Sequence, residues 1–194
     1  MKQALVFYLY SANNAGDMAI CLGTIAYLRS MDYSVTLVSR FDSTAPEYAD
    51  SKAFVNTYYP DVKVEPGIFK LNREVGKVSL ALQYAAGAVK CTLPWDDFRI
   101  HRLIKDSDVV YFNGGNLLRC ATLTDRARLQ ALFYPIQMAR KIGKPCVCLP
   151  QSTASVEAKW SDYLGNKLGY FEKIYILDYR LYPNTSHIHP YMYG

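Results

Sequence analysis

The 194 residues, 51% of them hydrophobic and 20% charged, have the composition of a folded globular protein and the length of one domain rather than two full-sized lobes. The apolar and aromatic content excludes a disordered chain, and no apolar run reaches the roughly 18 residues that a membrane-spanning helix needs, so no membrane insertion is expected. The net charge of +5 comes from 22 Lys and Arg against 17 Asp and Glu, but the basic residues are interleaved with acidic and apolar ones, which argues against a nucleic-acid partner.

Residues 4–10 are a near-continuous apolar, aromatic and β-branched run, the pattern of a strand buried on both faces in a parallel sheet. A polar turn follows, containing Asn13, Asn14, Gly16 and Asp17, and helical spacing of Ile20, Ile25 and Leu28 predicts a helix over residues 18–31 with Asp17 at its N-cap. Residues 33–38 read as a second strand, which makes a β-turn-α-β unit with parallel strands. Between 43 and 69 the prolines Pro46, Pro60 and Pro66 break the chain into short pieces, with a strand expected at 62–64. Helices are predicted over 74–90 and 96–105, then a strand over 108–112 that ends in a loop of Asn113, Gly114, Gly115 and Asn116. A helix over 124–142, kinked at Pro135, leads through Gly143-Lys144-Pro145 to a strand at 146–149 and a terminal loop holding Pro150, Gln151 and Ser152. A helix over 156–168 and a strand over 173–177 complete the pattern. This alternation predicts an α/β fold, a Rossmann-like, mostly parallel sheet with helices on both faces. The domain expected is residues 1–179; residues 180–194 form an irregular tail with no periodicity and no acidic residue.

The five cysteines form no CxxC pair, and no His stands at metal-ligand spacing, so neither a metal nor a cofactor is expected. Cys146 and Cys148 alternate within a strand and read as small buried hydrophobes on one face. Nothing resembling a signal peptide opens the chain, and a reducing, cytoplasmic setting is the expectation.

In an open parallel sheet ligands bind beyond the carboxyl ends of the strands, where strand order reverses. Three polar or Gly-rich loops are expected at that end, the ones carrying Asn14, Gly115 and Gln151. The first has a single glycine where GxGxxG wants three, and GxxxxGK[ST] is absent, so dinucleotide and P-loop chemistry are disfavoured. Asn13, Asn14 and Asp17 offer amide and carboxylate groups to a hydroxyl-rich ligand, and a carboxylate there can accept a proton from an attacking hydroxyl. Asp17 is accordingly the candidate catalytic residue. Asn13, Asn14, Gly16, Asn113, Gly114, Gly115, Asn116, Gln151 and Ser152 are the candidate substrate-binding residues. Each of these residues also has an ordinary structural role as a cap or a turn former.

Asn14-Ala15-Gly16-Asp17 after the first strand, then Val109-Val110-Tyr111-Phe112-Asn113-Gly114-Gly115-Asn116-Leu117-Leu118, then Gly143-Lys144-Pro145 leading into Leu149-Pro150-Gln151-Ser152, resemble the polysaccharide pyruvyl transferase family in letters, order and spacing. The resemblance implies one lobe of a two-lobed, GT-B-type enzyme that moves pyruvyl from phosphoenolpyruvate to a sugar hydroxyl in surface or exopolysaccharide biosynthesis. It covers residues 5–178, the family's amino-terminal lobe, and implies that Asn14, Gly16, Asp17 and residues 113–116 lie on the acceptor side of the cleft. The basic residues that hold phosphoenolpyruvate are implied to lie in a second lobe, and Ile176-Leu177 stands where the family carries an Arg. A truncated or frameshifted gene is the expectation, with a natural one-lobe protein or a partner chain that supplies the other half as the alternatives. The implied partners are a saccharide acceptor and phosphoenolpyruvate, and a cleft face without its second lobe is expected to pair with another copy as a dimer. Two other readings stay open, a non-catalytic saccharide-binding or remnant lobe and a GT-B-like glycosyltransferase lobe using a nucleotide sugar.

Overall fold

The chain alternates strands and helices in the computed structural model, which describes residues 1–69, 76–93 and 98–176. In order these are β1 (Lys2–Leu9), α1 (Ala15–Ser30), β2 (Tyr33–Ser39), α2 (Pro46–Tyr58), β3 (Lys63–Glu65), α3 (Lys77–Thr92), α4 (Arg99–Asp106), β4 (Val109–Phe112), β5 (Gly115–Cys120), α5 (Leu123–Lys141), β6 (Cys146–Val156), α6 (Ser161–Leu168) and β7 (Lys173–Ile176). Leu177, the second residue at the interrupted Arg position, and the tail at 180–194 lie outside the described residues.

Among the described residues every strand pairing is parallel, in the order β3-β2-β1-β4-β6 with β7 also on β6. Phe112 lies opposite Cys148 and Gly115 opposite Gln151, so β4 and β5 keep one offset against β6 and act as a single strand interrupted at Asn113 and Gly114. The sheet therefore has the doubly wound order, reversing direction between β1 and β4. This is the α/β, mostly parallel architecture expected.

Three expectations about local structure need correction. Pro46 does not break the chain but starts α2, at the first helical position, where its missing N–H would have no intrahelical acceptor in any case. The segment after Asn113 and Gly114 is not a loop, and Pro150, Gln151 and Ser152 are not a terminal loop, because β5 and the second half of β6 pair with each other through these residues. The helix expected from 156 begins only at Ser161, after β6 has run to Val156 and a 3-10 turn spans Ala158–Trp160.

Alternation along the strands feeds two cores, one on each face. On one face Leu5, Val110, Phe112, Cys146 and Cys148 pack with α4, α5 and α6, where Phe112, Phe133 and Phe171 meet at centroid distances of 5.3 to 5.7 Å. On the other, Ala4, Val6, Leu37, Tyr111 and Leu149 pack against Met18, Cys21, Ile25 and Leu28 of α1 and Val55 of α2. Cys146 and Cys148 share one face and are fully buried, as their period of two requires.

A β-bulge interrupts the alternation of β1. The register with β2 shifts between Phe7 and Leu9, and Tyr8 has a φ of 77°, a left-handed conformation that a bulky residue holds only when its surroundings fix it. Phe7 and Tyr8 consequently share the α5 face, with ring centroids 5.8 Å apart. The Tyr8 hydroxyl donates to the Leu132 carbonyl of α5 at 2.6 Å, and the Tyr8 carbonyl accepts from Asn113 Nδ2 at 3.2 Å. The bulge is thus clamped from both sides directly before the chain leaves the sheet.

Candidate functional site

Beyond the bulge, Tyr10 to Asn14 turn the chain from β1 into α1. Asn14 N–H donates to the Ser11 carbonyl at 3.1 Å, closing a turn, and the Asn14 side chain caps α1 by accepting from Gly16 N–H at 3.1 Å and Asp17 N–H at 3.3 Å. The cap is therefore Asn14 and not Asp17. Asp17 sits in the first turn of the helix with its carboxylate uncommitted to capping, which is what leaves it available for chemistry. Asn13, Asn14 and Gly16 are exposed, whereas Asp17 is half-buried.

The loop is held from behind by α2. The buried Ser51 hydroxyl accepts from Ala12 N–H at 3.1 Å and lies 2.8 Å from the Tyr10 carbonyl. Ser51 fell in a stretch whose pattern suggested only broken pieces, and no local signal marked it.

At the interruption of the fourth strand the two glycines do different work. A Cβ on Gly114 would stand 2.7 Å from the Pro150 carbonyl oxygen and 3.1 Å from Ile20 Cγ2, so this glycine permits close packing on β6 and α1. Gly115, at a φ of 130°, faces the loop after β1. A Cβ there would lie 3.5 Å from the Tyr10 ring and 3.8 Å from both the Tyr10 hydroxyl and Asp17 Oδ1. Gly115, Tyr10 and Asp17 thus meet at the point where strand order reverses.

Asn113 and Gln151 stand behind this point, not in it. Both are fully buried. Asn113 donates to the Tyr8 carbonyl and accepts from Gly114 N–H at 2.9 Å, with the Thr24 hydroxyl at 3.4 Å. Gln151 donates to the Asn113 carbonyl and accepts from Leu117 N–H at 3.3 Å. Their amides satisfy the backbone groups that the interrupted strand leaves open, so they position the site from within. The side chains of Asn116 and Ser152 lie outside the described residues.

Two arginines complete the cluster. Arg40 directly follows β2, its backbone N–H bonded to the Leu9 carbonyl at 2.9 Å and its guanidinium 5.6 Å from the centroid of the Tyr10 ring. Arg128 projects from α5, with Nη2 3.4 Å from the Leu117 carbonyl. Among the described residues neither forms an ion pair, and the Nε of each is buried without a hydrogen-bond partner. Burial lowers the Arg128 pKa, and the charge of Arg40 lowers it further. Burial raises the Asp17 carboxyl above the ordinary aspartate range, opposed by Arg40. Burial also pushes the Tyr10 phenol up, with the two arginines opposing and Asp17 adding to the rise. Tyr10 therefore senses the charges of Arg40, Asp17 and Arg128, and Arg40 acts on Asp17 and Arg128 as well. A separate groove of about 250 Å³, lined by Leu123, Arg126, Ala127, Gln130 and Tyr163, lies on α5 and α6 and shares no residue with them.

Known proteins give two kinds of comparison. Among solved structures, apo UGT2 of Phytolacca americana aligns over 79% of this chain and 30% of its own at 11% identity and a TM-score of 0.46, so the chain spans less than a third of that protein. Phenylacrylic acid decarboxylase from Aquifex aeolicus aligns over 97% of this chain and 85% of its own, at 11% identity and a TM-score of 0.40. No curated protein matches the sequence. A sequence model of the family described as polysaccharide pyruvyl transferase matches residues 14–177, a span that starts at the Asn14 cap, takes in Asp17, Gly115 and Arg128, and closes after β7. The chain belongs to the polysaccharide pyruvyl transferase family.

Proposed function

We propose that this chain is the acceptor-binding lobe of a pyruvyl transferase, and that Asp17 takes the proton from a sugar hydroxyl as that oxygen attacks C2 of phosphoenolpyruvate. In the overall reaction two hydroxyls of one acceptor form a ketal with the pyruvyl carbon. Of their two protons, one ends on the methylene carbon, which becomes a methyl group, and the other on the released phosphate. A base is needed where the hydroxyl attacks, and a carboxylate whose pKa is raised by burial is a stronger base than an exposed one.

The observation that carries this reading is the meeting of the Asp17 carboxylate, the Tyr10 hydroxyl and the Gly115 backbone at the reversal between β1 and β4. Asn13, Asn14 and Gly16 form the exposed rim on which a hydroxyl-rich acceptor would rest, with the Gly115 backbone facing Tyr10 and Asp17 behind it. The reading treats residues 1–179 as one lobe resembling half of a GT-B-type enzyme, with the donor held by a second lobe. A reducing cytoplasmic setting agrees with the buried free thiols of Cys21, Cys120, Cys146 and Cys148.

Incubation with phosphoenolpyruvate and a panel of saccharides, with phosphate release as the readout, tests the proposal. Saccharide binding by this lobe, with acceptor-dependent release that is lost in Asp17→Asn once a donor-holding lobe is supplied, is the expected result. Saccharide binding without release would identify a binding lobe, and neither binding nor release would remove the reading.

A further inference from the structure

Arg40 and Arg128, which form no ion pair among the described residues, have no role in the reading above, which assigns the positive charge for the donor to another lobe. Arg40 comes from the end of β2 and Arg128 from α5, 88 positions apart in sequence. Half-buried like charges near each other raise the energy of the unliganded fold, and proteins normally offset such charges with carboxylates. Here no described carboxylate forms an ion pair with either, although the chain does build such pairs elsewhere, as Glu65 with Arg99 and Asp125 with Arg119. The Nε groups of both arginines are buried with their donors unsatisfied. Two guanidinium forks around Tyr10, Arg40 against its ring and Arg128 close enough for its charge to act on the phenol, are groups that an oxyanion with several acceptor oxygens would satisfy.

We infer that Arg40 and Arg128, with the Tyr10 hydroxyl, form an oxyanion site on this lobe that takes a phosphate or carboxylate group of a ligand bound across the strand ends. The site lies beside Asp17 but does not need Asp17 to be catalytic. A bound anion would carry one of its oxygens to each guanidinium. Its negative charge would also remove the mutual repulsion of the arginines. The group recognised can belong to a phosphorylated or uronic acceptor or to the pyruvyl donor, whose charged groups are a phosphate and a carboxylate.

Titration of the full chain with inorganic phosphate, pyruvate, phosphoenolpyruvate and a matched pair of glucose and glucose 1-phosphate separates these sources. The expected result is binding of at least one of the charged probes with none for glucose, weakened about tenfold or more in Arg40→Gln and in Arg128→Gln. Arg128→Lys, which keeps the charge but loses the fork, should fall between wild type and Arg128→Gln. The same probe should raise the unfolding temperature of the wild type and not that of Arg40→Gln, which reports on the site even if a variant is less stable. Preference for phosphoenolpyruvate or pyruvate assigns the site to the donor, and preference for glucose 1-phosphate assigns it to the acceptor. No binding of any probe, or equal binding by wild type and both glutamine variants, overturns the inference. Phosphate release in the transfer assay together with such a result would leave the proposed function standing without this site.

Discussion

Replacing Asn113 by Ala separates a ligand-contacting asparagine from one that holds the chain. In the structure its amide serves the Tyr8 carbonyl at 3.2 Å and the Gly114 N–H at 2.9 Å, both in buried surroundings. Removing the side chain leaves these two backbone groups without their partner, and a buried unsatisfied polar group costs about 1–3 kcal/mol. The expected loss is therefore about 2–5 kcal/mol, a large part of the 5–15 kcal/mol that stabilises a typical domain. For a chain of this size that is a fall in Tm of roughly 5–15 °C. The Thr24 contact, at 3.4 Å, is long, and Thr24→Val should cost under about 1 kcal/mol. Urea unfolding of both variants, with the slope against denaturant unchanged, measures the difference. Wild-type stability in Asn113→Ala, accompanied by weakened saccharide binding, would refute the internal role and restore Asn113 to the ligand-contacting set.

Three further outcomes follow from the same geometry. Tyr8→Phe removes the hydroxyl that donates to Leu132 and should cost about 1 kcal/mol in chemical denaturation, with the core ring contacts retained. Gly114→Ala forces a methyl group against the Pro150 carbonyl and Ile20, and overpacking of this kind should cost about 1–3 kcal/mol, read as a lower urea midpoint. At the start of α5 burial raises the Asp125 carboxyl, but hydrogen bonds from Thr122 and Ala121 outweigh it and hold its pKa below the ordinary value of 3.8. The capping contribution is therefore present above pH 4 and lost as pH falls through the lower folded value, and Asp125→Asn should flatten that part of the acid unfolding profile.

The strands that the sequence marks clearly are those with long apolar runs, β1, β2 and β4, because burial on both faces leaves little room for polar residues. The second half of the central pairing was illegible for the opposite reason. Gly114, Gly115, Pro150 and Gln151 look like turn residues, and the cross-strand amides of Asn113 and Gln151 together with the β5–β6 pairing hold this stretch in the sheet. Helix α2 was hidden because Ser51 and Val55 are its buried positions, too few for an apolar stripe to show. Of the site, Asp17 and Gly115 stood out by type and local context. Tyr10 read as the end of an apolar run and Arg128 as one charge on a solvated helix face, and no motif included Arg40. What joins them is the adjacency of β1 to both β2 and β4, a property of strand order that no local window contains.

Asp17 offers the test of whether this cluster was shaped for stability or for chemistry. A carboxylate in the first turn of a helix is ordinarily favoured by the helix dipole, and its pKa falls. Here burial wins and the pKa rises, so the ionised form is penalised in the fold, with Arg40 the charge that limits the penalty. For a carboxyl whose folded pKa is raised, the favourable contribution is full below the unfolded value, near 3.8, and is lost as pH rises through the folded value. At neutral pH Asp17→Asn should therefore be no less stable than the wild type, although it removes the proposed base. Carboxyl carbon NMR should show Asp17 titrating above its ordinary value, and Arg40→Gln should move that titration higher still by removing the opposing charge. A lowered titration, or a destabilised Asp17→Asn at pH 7, would mean that the carboxylate serves the helix. In that case the stored cost that marks a functional group would be absent.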